Sequence, residues 1–499
     1  MNWGNEARIE VPLEPPYEVV VRPDLLRDLG AHVPAGVKRL MLMFDPAVAG
    51  PVPGLVDSLR KDGFDVYLLA VPSGEAAKTI DVAAAAWQRL GEASFTRTDL
   101  IVALGGGATT DLAGFVAATW LRGTPVVHVP TTLLAMVDAA IGGKTAIDTD
   151  EGKNLVGAFH QPYAVLCDPV LLNSLPEAEL ISGMAEVIKA GLIADPGILD
   201  VVWSGPRETL NLSGPLLTEL IRRAVAVKAE VVGEDPHESG RRAVLNYGHT
   251  FGHAIEQVEH FEWRHGDAVA VGMVFAAETA VRAGLMEPSL LGLHRELLSA
   301  VGLPTSYRPG RWDRLWPAMR RDKKNQGDVR RMVLLEDVAK PVIVRGIPEA
   351  ILEEAYQAIS AVPGAAPYPT ADGPARPLDN PYGLPAYIPP LAGAEPDELL
   401  AGREPDELLA GREPDELLAG PEPDGPLAGR EPDELLAGRE PDELLAGREP
   451  DELLAGPEPD GPLDGREPDE LLAGREPDGP LAGAPSFDEP PERYPWEPT

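Results

Sequence analysis

From residue 39 to residue 170, short apolar runs alternate with amphipathic stretches. Arg39–Asp45, Asp65–Val71, Asp99–Leu104 and Val126–Pro130 are five to seven residues long and end in turn residues. Between them, Thr79–Glu92 and Thr110–Leu121 place apolar residues at helical intervals. Buried strands alternating with helices predict βαβ units and a mainly parallel sheet. Beyond about Pro176 the strand pattern fades. Glu177–Ala194, Leu216–Val232, His249–Val258, Asp267–Ala283 and Leu290–Val301 all carry helical spacing, which predicts a second, mainly α-helical domain. Val333–Leu335 and Val342–Val344 predict a late hairpin, and Pro348–Ile359 a closing helix.

The pattern changes again at Pro363. Residues 363–393 are rich in Pro, Gly and Ala, a linker composition. A nine-residue unit, REPDELLAG with variants, then runs ten times from Ala394 to Gly483. Each unit carries a proline and no aromatic residue, so a long helix is broken and too little apolar surface remains to offset chain entropy. Residues 394–499 are expected to be a disordered acidic tail with no identifiable partner. Of the net charge of −37, −21 lies in residues 394–483 and −12 in residues 1–366. That acidity argues against nucleic acid as a partner, yet leaves room for a locally basic pocket. Cys167 is the single cysteine, which excludes an intrachain disulfide and a cysteine-built zinc site. The N-terminus has no basic region followed by an apolar run, and no apolar stretch reaches 18 residues. The expected compartment is the cytoplasm, with no membrane partner.

Four groups of residues carry candidate chemistry. Gly105-Gly106-Gly107-Ala108-Thr109-Thr110-Asp111 follows a strand and opens a helix, where glycine lets backbone N–H groups approach a pyrophosphate. A plain tight turn would read the same. Val129–Asp148 packs threonines, Asp138, a Gly-Gly turn and Lys144 into twenty residues, suiting a phosphate or polyhydroxylated ligand, or else forming a polar loop beside the sheet. His249 and His253 stand at i and i+4 on one helical face, a spacing that allows joint metal ligation. His265 and Glu186 add an imidazole and a carboxylate, and Glu186 shares its face with Lys189. The last group is cationic: Arg122, Lys144, Lys153, Lys189, Lys228, Arg241, Arg242, Lys323 and Lys324, several in apolar or Gly-rich contexts.

Taken together and in this order, LGGGATTDLAGFVAATWLRG, VPTTLLAMVDAAIGGKTAID, GKNLVGAFHQP, GMAEVIKAG, LNYGHTFGHAIE, HGDAVAVGM and DKKN make the first 362 residues closely similar to the 3-dehydroquinate synthase family of sugar phosphate cyclases. The resemblance implies a Rossmann-like NAD domain over residues 1–172 and a helical metal- and substrate-binding domain over residues 173–362. It implies zinc, with cobalt as the other ion, on Glu186, His249 and His265, so that His253 becomes a proton-transfer residue over the substrate. Glu238 matches the position of a proton acceptor. Implied catalytic residues are thus Glu238, His253, Lys144 and Asp138. Substrate contacts fall to Arg122, Asp138, Lys144, Asn154, Lys189, Lys228, Arg242, Asn246 and Lys323. Cofactor contacts fall to Asp45, Glu75, Lys78, Gly106, Gly107, Asp111, Thr131, Thr132 and Lys153.

The family's substrate is 3-deoxy-D-arabino-heptulosonate 7-phosphate, a phosphorylated sugar acid. Transient oxidation by NAD, phosphate elimination, re-reduction and an internal aldol step close it to 3-dehydroquinate, in the shikimate pathway to aromatic amino acids. A homodimer is the family expectation. Phe44-Asp45-Pro46-Ala47 departs from many relatives in lacking an asparagine two residues after the aspartate. Other sugar phosphate cyclases share the fold, the NAD and the metal but differ at pocket positions, where Lys189, Arg242 and Asn246 carry the dehydroquinate-type residue; amino-dehydroquinate synthase needs nearly the same pocket. A metal-dependent alcohol dehydrogenase shares the plan but not the density of cations. An interaction protein built around the tail would leave the intact body motifs without a role.

Overall fold

Strands β1 (Ala7–Val11), β2 (Tyr17–Val21), β3 (Arg39–Phe44), β4 (Asp65–Ala70), β5 (Leu100–Gly105), β6 (Val126–Pro130) and β9 (Ala164–Cys167) form one sheet in the computed structural model. Their order is β1-β2-β9-β6-β5-β3-β4, and every neighbour pair is parallel except β1 with β2. Described residues are 6–238, 240–320 and 331–360, all within one compact unit, Met1–Ala392. Lys323, the Pro/Gly-rich linker and the repeat tail lie outside them.

The central strands are buried on both faces because helices cover both. Along β3, Leu40, Leu42 and Phe44 pack on one side with Val52, Leu55, Val56 and Leu59 of α1 (Val52–Lys61). Met41 and Met43 point the other way. They pack with Ala83, Ala86 and Leu90 of α2 (Ile80–Glu92) and with Leu112, Ala113 and Val116 of α3 (Gly107–Thr119). This two-residue alternation is why such strands read as unbroken apolar runs.

Beyond the sheet the chain is helical: α4 (Glu177–Ile193), α5 (Pro196–Ser204), α6 (Pro215–Glu234), α7 (His249–Val258), α8 (His265–Arg282), α9 (Pro288–Ala300) and α10 (Trp312–Arg320). A hairpin of β10 (Arg331–Asp337) and β11 (Lys340–Arg345) follows, closed by α11 (Glu349–Ser360). Helix α8 is buried on every side from Gly266 to Ala280, so it is the axis around which α4, α7, α9 and α11 pack. Ring stacking of Phe251 on Phe275, 4.0 Å between centroids, ties α7 to it. Among the described residues no helix is long and apolar enough to cross a membrane.

The periodicity located the central strands and long helices to within about two or three residues at most ends. It missed β1, β2 and β9, which are only four or five residues long and take their identity from pairing with distant partners. It also treated the polar stretch after Val129 as a loop at most. In the structure Lys144–Thr149 (β7) pairs antiparallel with Gly152–Phe159 (β8). Strand β8 is largely exposed, so no buried face marks it in the sequence.

Candidate active site

The chain runs outward from β3 to β4 and then crosses back through β5, β6 and β9, so the direction of the strand order reverses between β3 and β5. In open α/β sheets the crevice outside the carboxyl ends at such a reversal is where ligands bind. Asp45 lies just past β3, Gly105-Gly106-Gly107 at the end of β5, and Thr131-Thr132 just past β6. No side chain caps the N-terminus of α3, leaving its first N–H groups for an anionic ligand. A Cβ on Gly106 would come 3.1 Å from Thr132, and one on Gly107 3.1 Å from Ala139. The Asp45 carboxylate accepts from Ala47 N at 2.9 Å and from the Ser73 hydroxyl at 2.5 Å.

The buried Lys78 ammonium donates to Asp111 at 2.8 Å and to Asn154, and lies 3.7 Å from Glu75. Burial lifts the Asp111 carboxyl to about 6 against the pull of Lys78. Lys153 sits 3.2 Å from Glu75 and 4.2 Å above the Phe261 ring. Residues from the sheet, the β7–β8 hairpin and the helical layer therefore meet at one crevice.

After Thr132 the chain makes a π-helical turn, Ala135–Ala139, a wide turn that swings Asp138 inward. The Asp138 carboxylate accepts from Lys228 of α6. Burial raises the Asp138 pKa, but Lys228 and Lys189 outweigh it and hold the carboxyl below its ordinary range. Gly142 then takes φ +100°, a left-handed backbone that a side chain rarely adopts. Its N–H donates to the Tyr17 hydroxyl at 2.9 Å, and its carbonyl accepts from Arg242 at 3.2 Å. Arg242 is 2% exposed, donates also to Pro236 O at 2.7 Å, and among the described residues has no hydrogen-bond partner on Nε. Lys144 pairs with Glu238, which accepts from Asn246 at 2.6 Å. Burial lowers the Lys228 ammonium; Asp138 opposes this, and Arg242 and Lys189 add to it. Such crowding of cations is relieved when an anion enters.

Glu186, His249 and His265 offer ligand atoms that all lie within 4.8 Å of one another. Glu186 Oε1 is 3.6 Å from His249 Nε2 and 3.4 Å from His265 Nε2, and Lys189 pairs with Oε2. Burial raises the Glu186 pKa, but Lys189 and His265 bring it down to about 2; burial lowers His265, but Glu186 and Glu256 hold it up to about 10. The environment therefore favours positive charge between the carboxylates. One carboxylate and two imidazoles, each ring holding its other nitrogen on an acceptor, fit a divalent metal with an open position. Grouping His249 with His265 corrects the pairing suggested by the i, i+4 spacing. The His253 ring stands T-shaped to His249 at 5.2 Å between centroids and lines the cavity outside the trio.

Close helix packing sets this geometry. A Cβ on Gly266 would fall 1.8 Å from the Ser182 carbonyl of α4, and one on Gly272 would fall 2.0 Å from the Gly248 carbonyl before α7. Glycine at these crossings brings His265 toward Glu186, and His249 toward both.

The two histidines of the trio, the basic group and the hairpin enclose a cavity of ≈ 530 Å³, with Glu186 buried behind them. It gathers Asp111, Asp138, Lys144, Asn154, Lys189, Lys228, Glu238, Arg242, Asn246, His249, His253 and His265 from segments more than 150 residues apart. Arg122 is not among its lining residues. It sits exposed in a left-handed turn (φ 65°) at the far end of α3 from Asp111. Arg241 points elsewhere, pairing with Glu230 and Glu234. The sequence reading overlooked Tyr17, Tyr247 and Glu256. Only Glu256 left a signal, standing seven residues after His249 and hence on the same helical face.

Family models for the 3-dehydroquinate synthase N-terminal and C-terminal regions match residues 68–182 and 183–325. The 3-dehydroquinate synthase of Thermobifida fusca (strain YX) is 54% identical over 352 residues, covering 70% of this chain and 96% of that protein. A 2-deoxy-scyllo-inosose synthase crystallised with carbaglucose-6-phosphate, NAD+ and Co2+ superposes with a TM-score of 0.63 at 28% identity, over 71% of this chain and all of that one. The 2-epi-5-epi-valiolone synthase ValA from Streptomyces hygroscopicus subsp. jinggangensis 5008, with NAD+ and Zn2+ bound, superposes with a TM-score of 0.64 at 26% identity, over 69% of this chain and 96% of that one.

Proposed function

Because the chain belongs to the 3-dehydroquinate synthase family, we propose that it converts 3-deoxy-D-arabino-heptulosonate 7-phosphate to 3-dehydroquinate and phosphate in the cavity just described. The observation that carries this reading is the convergence of a three-ligand trio and four cations on one cavity beside the reversal point of the sheet. Lys144, Lys189, Lys228 and Arg242 face three carboxylates, Asp138, Glu186 and Glu238, the fourth, Asp111, being balanced by its own partner Lys78. With a divalent ion the balance is about +3, which offsets a substrate carboxylate and a phosphate dianion of about −3 together.

In this reading Glu186, His249 and His265 hold zinc or cobalt. Asp45, Glu75, Lys78, Gly106, Gly107, Asp111, Thr131, Thr132 and Lys153 hold NAD. When bound, the ion supplies Lewis acidity to a substrate hydroxyl and NAD a reversible hydride acceptor. Lys228 and Arg242, walled in by Asp138 and the Gly142 carbonyl, are pre-placed to bind the anionic ends of the substrate without rearranging. Asn154, Lys189 and Asn246 orient it. Glu238, held between Lys144 and Asn246, accepts a proton, and His253 relays one at the cavity wall.

The same reading divides the labour at about residue 172 and places the enzyme in the cytoplasm as a homodimer. Exposed Leu121, Phe159 and Tyr163 share a surface with Arg122, since His160 bonds the Thr124 carbonyl at 2.8 Å. A second copy seated there would bury that apolar surface and bring Arg122 against a neighbouring subunit.

The test is phosphate release from the heptulosonate phosphate, with and without NAD and with a metal chelator. Activity requires both groups, and NADH does not accumulate. Stoichiometric NADH build-up would indicate a dehydrogenase and overturn the proposal.

A further inference from the structure

Both histidines of the trio turn Nε2 toward Glu186 and rest Nδ1 on an acceptor, but the acceptors differ in kind. His249 Nδ1 lies 3.1 Å from the Tyr247 carbonyl, which is neutral and part of the backbone. Tyr247 is itself pinned, its hydroxyl donating to His294 Nε2 at 2.9 Å while His294 Nδ1 donates to the Leu290 carbonyl at 2.6 Å. His265 Nδ1 instead lies 3.2 Å from Glu256 Oε1, a carboxylate whose side chain is 14% exposed. Glu256 reaches this place because it stands two helical turns beyond His249 on α7, on the same face, while His265 opens α8 alongside. Neither a carbonyl nor a carboxylate can donate, so both rings carry hydrogen on Nδ1 and present a lone pair on Nε2. A carboxylate acceptor also draws the shared hydrogen toward itself and makes the opposite nitrogen the stronger donor to a cation.

We infer that Glu256 is a positioning residue for the metal: it fixes the rotation and tautomer of His265 and makes it the more electron-rich of the two imidazole ligands. The inference rests on the metal site of the proposed function. It adds a residue outside the ligand set that governs how tightly the ion is held. Glu256 does not belong to the trio itself, because it meets His265 on the ring edge opposite Glu186.

The experiment is competitive zinc titration of the full chain against a chromophoric chelator, for the wild type, Glu256→Gln and Glu256→Ala. Melting curves of the chelator-stripped proteins and absorption spectra of their cobalt forms accompany it. Zinc is expected to bind roughly ten-fold more weakly in Glu256→Gln, and more weakly still, toward a hundred-fold, in Glu256→Ala. Cobalt bands are expected to shift in both, while the metal-free melting temperature of Glu256→Gln stays at the wild-type value. Glutamine keeps an acceptor but loses the charge, so a graded loss separates ligand tuning from packing. If both variants bind zinc like the wild type, the inference is overturned. If their losses are equal and matched by a falling metal-free melting temperature, Glu256 is structural and the inference is also overturned. A wild-type chain that binds no stoichiometric ion would instead refute the metal site, and this inference with it.

Discussion

Gly272→Ala tests whether helix packing holds the proposed metal ligands in place. A Cβ at this position would meet only backbone: the Gly248 carbonyl oxygen at 2.0 Å, its carbon at 2.9 Å and Gly252 N at 3.0 Å. Real Cβ atoms essentially never approach closer than 3.0 Å, so α7 and α8 must separate by about 1 Å. The displaced carbonyl accepts the Gly252 N–H at 3.0 Å and directly precedes His249. Metal–ligand distances tolerate only about 0.2 Å, so a shift of that size takes His249 out of a site whose His265 stays with α8. Overpacking itself costs about 1–3 kcal/mol. The assay is zinc affinity by competition, together with the urea midpoint in excess chelator to read the metal-independent cost. Gly54→Ala is the control, since a Cβ there meets nothing within 4 Å. Wild-type zinc affinity and an unshifted midpoint in Gly272→Ala would show that the helix crossing is slack, and would refute the argument.

His249→Ala and His265→Ala are each expected to lose bound metal, whereas His253→Ala keeps it and loses turnover; equal metal loss in all three would erase the distinction between trio and cavity wall. Tyr17→Phe leaves the Gly142 N–H without its acceptor in a buried place, a cost of about 1–3 kcal/mol. The mutation is expected to raise KM for the phosphorylated substrate through Arg242 and to leave KM for NAD unchanged, which steady-state kinetics with each substrate varied will read. Acid acts on opposed groups. Burial lowers His294 to about 4 and His128 to about 3, so below about pH 6.5 the unfolded chain binds protons at these two sites that the folded chain does not. Burial raises Asp111 and Asp267 to about 6, so below about pH 6 the folded chain takes up protons there before the unfolded one and offsets that loss. Asp267→Asn removes one opposing group and is expected to make stability fall more steeply than in the wild type between about pH 6 and pH 4, by about 1.4 kcal/mol per unit, measured as urea midpoints. An unchanged slope in Asp267→Asn would contradict it.

Local pattern alone determined much of this protein. Met41 and Leu42 had to alternate across a strand, Gly105–Gly107 had to mark a strand-to-helix turn, and the apolar spacing of α4, α6 and α8 had to produce helices, because each depends on near neighbours in the chain. The conjunction of GMAEVIKAG with HTFGHAIE and HGDAVAVGM pointed to the reaction before any geometry was known. Tertiary structure decided what near neighbours cannot encode. His249 brings a ligand nitrogen within 4.8 Å of one on His265, sixteen residues on, because α7 and α8 touch through Gly248 and Gly272, and the nearer-in-sequence His253 is left on the cavity wall. Tyr17 serves Gly142 across 125 residues because β2 lies inside the sheet, which its five-residue length did not disclose. Arg122 follows an apolar helix into a glycine turn and reads like a pocket residue, yet α3 carries it to the end opposite Asp111. Spacing along one element fixes a face; which face meets which partner depends on helix crossings and strand pairing, whose energies belong to pairs of segments and not to either alone.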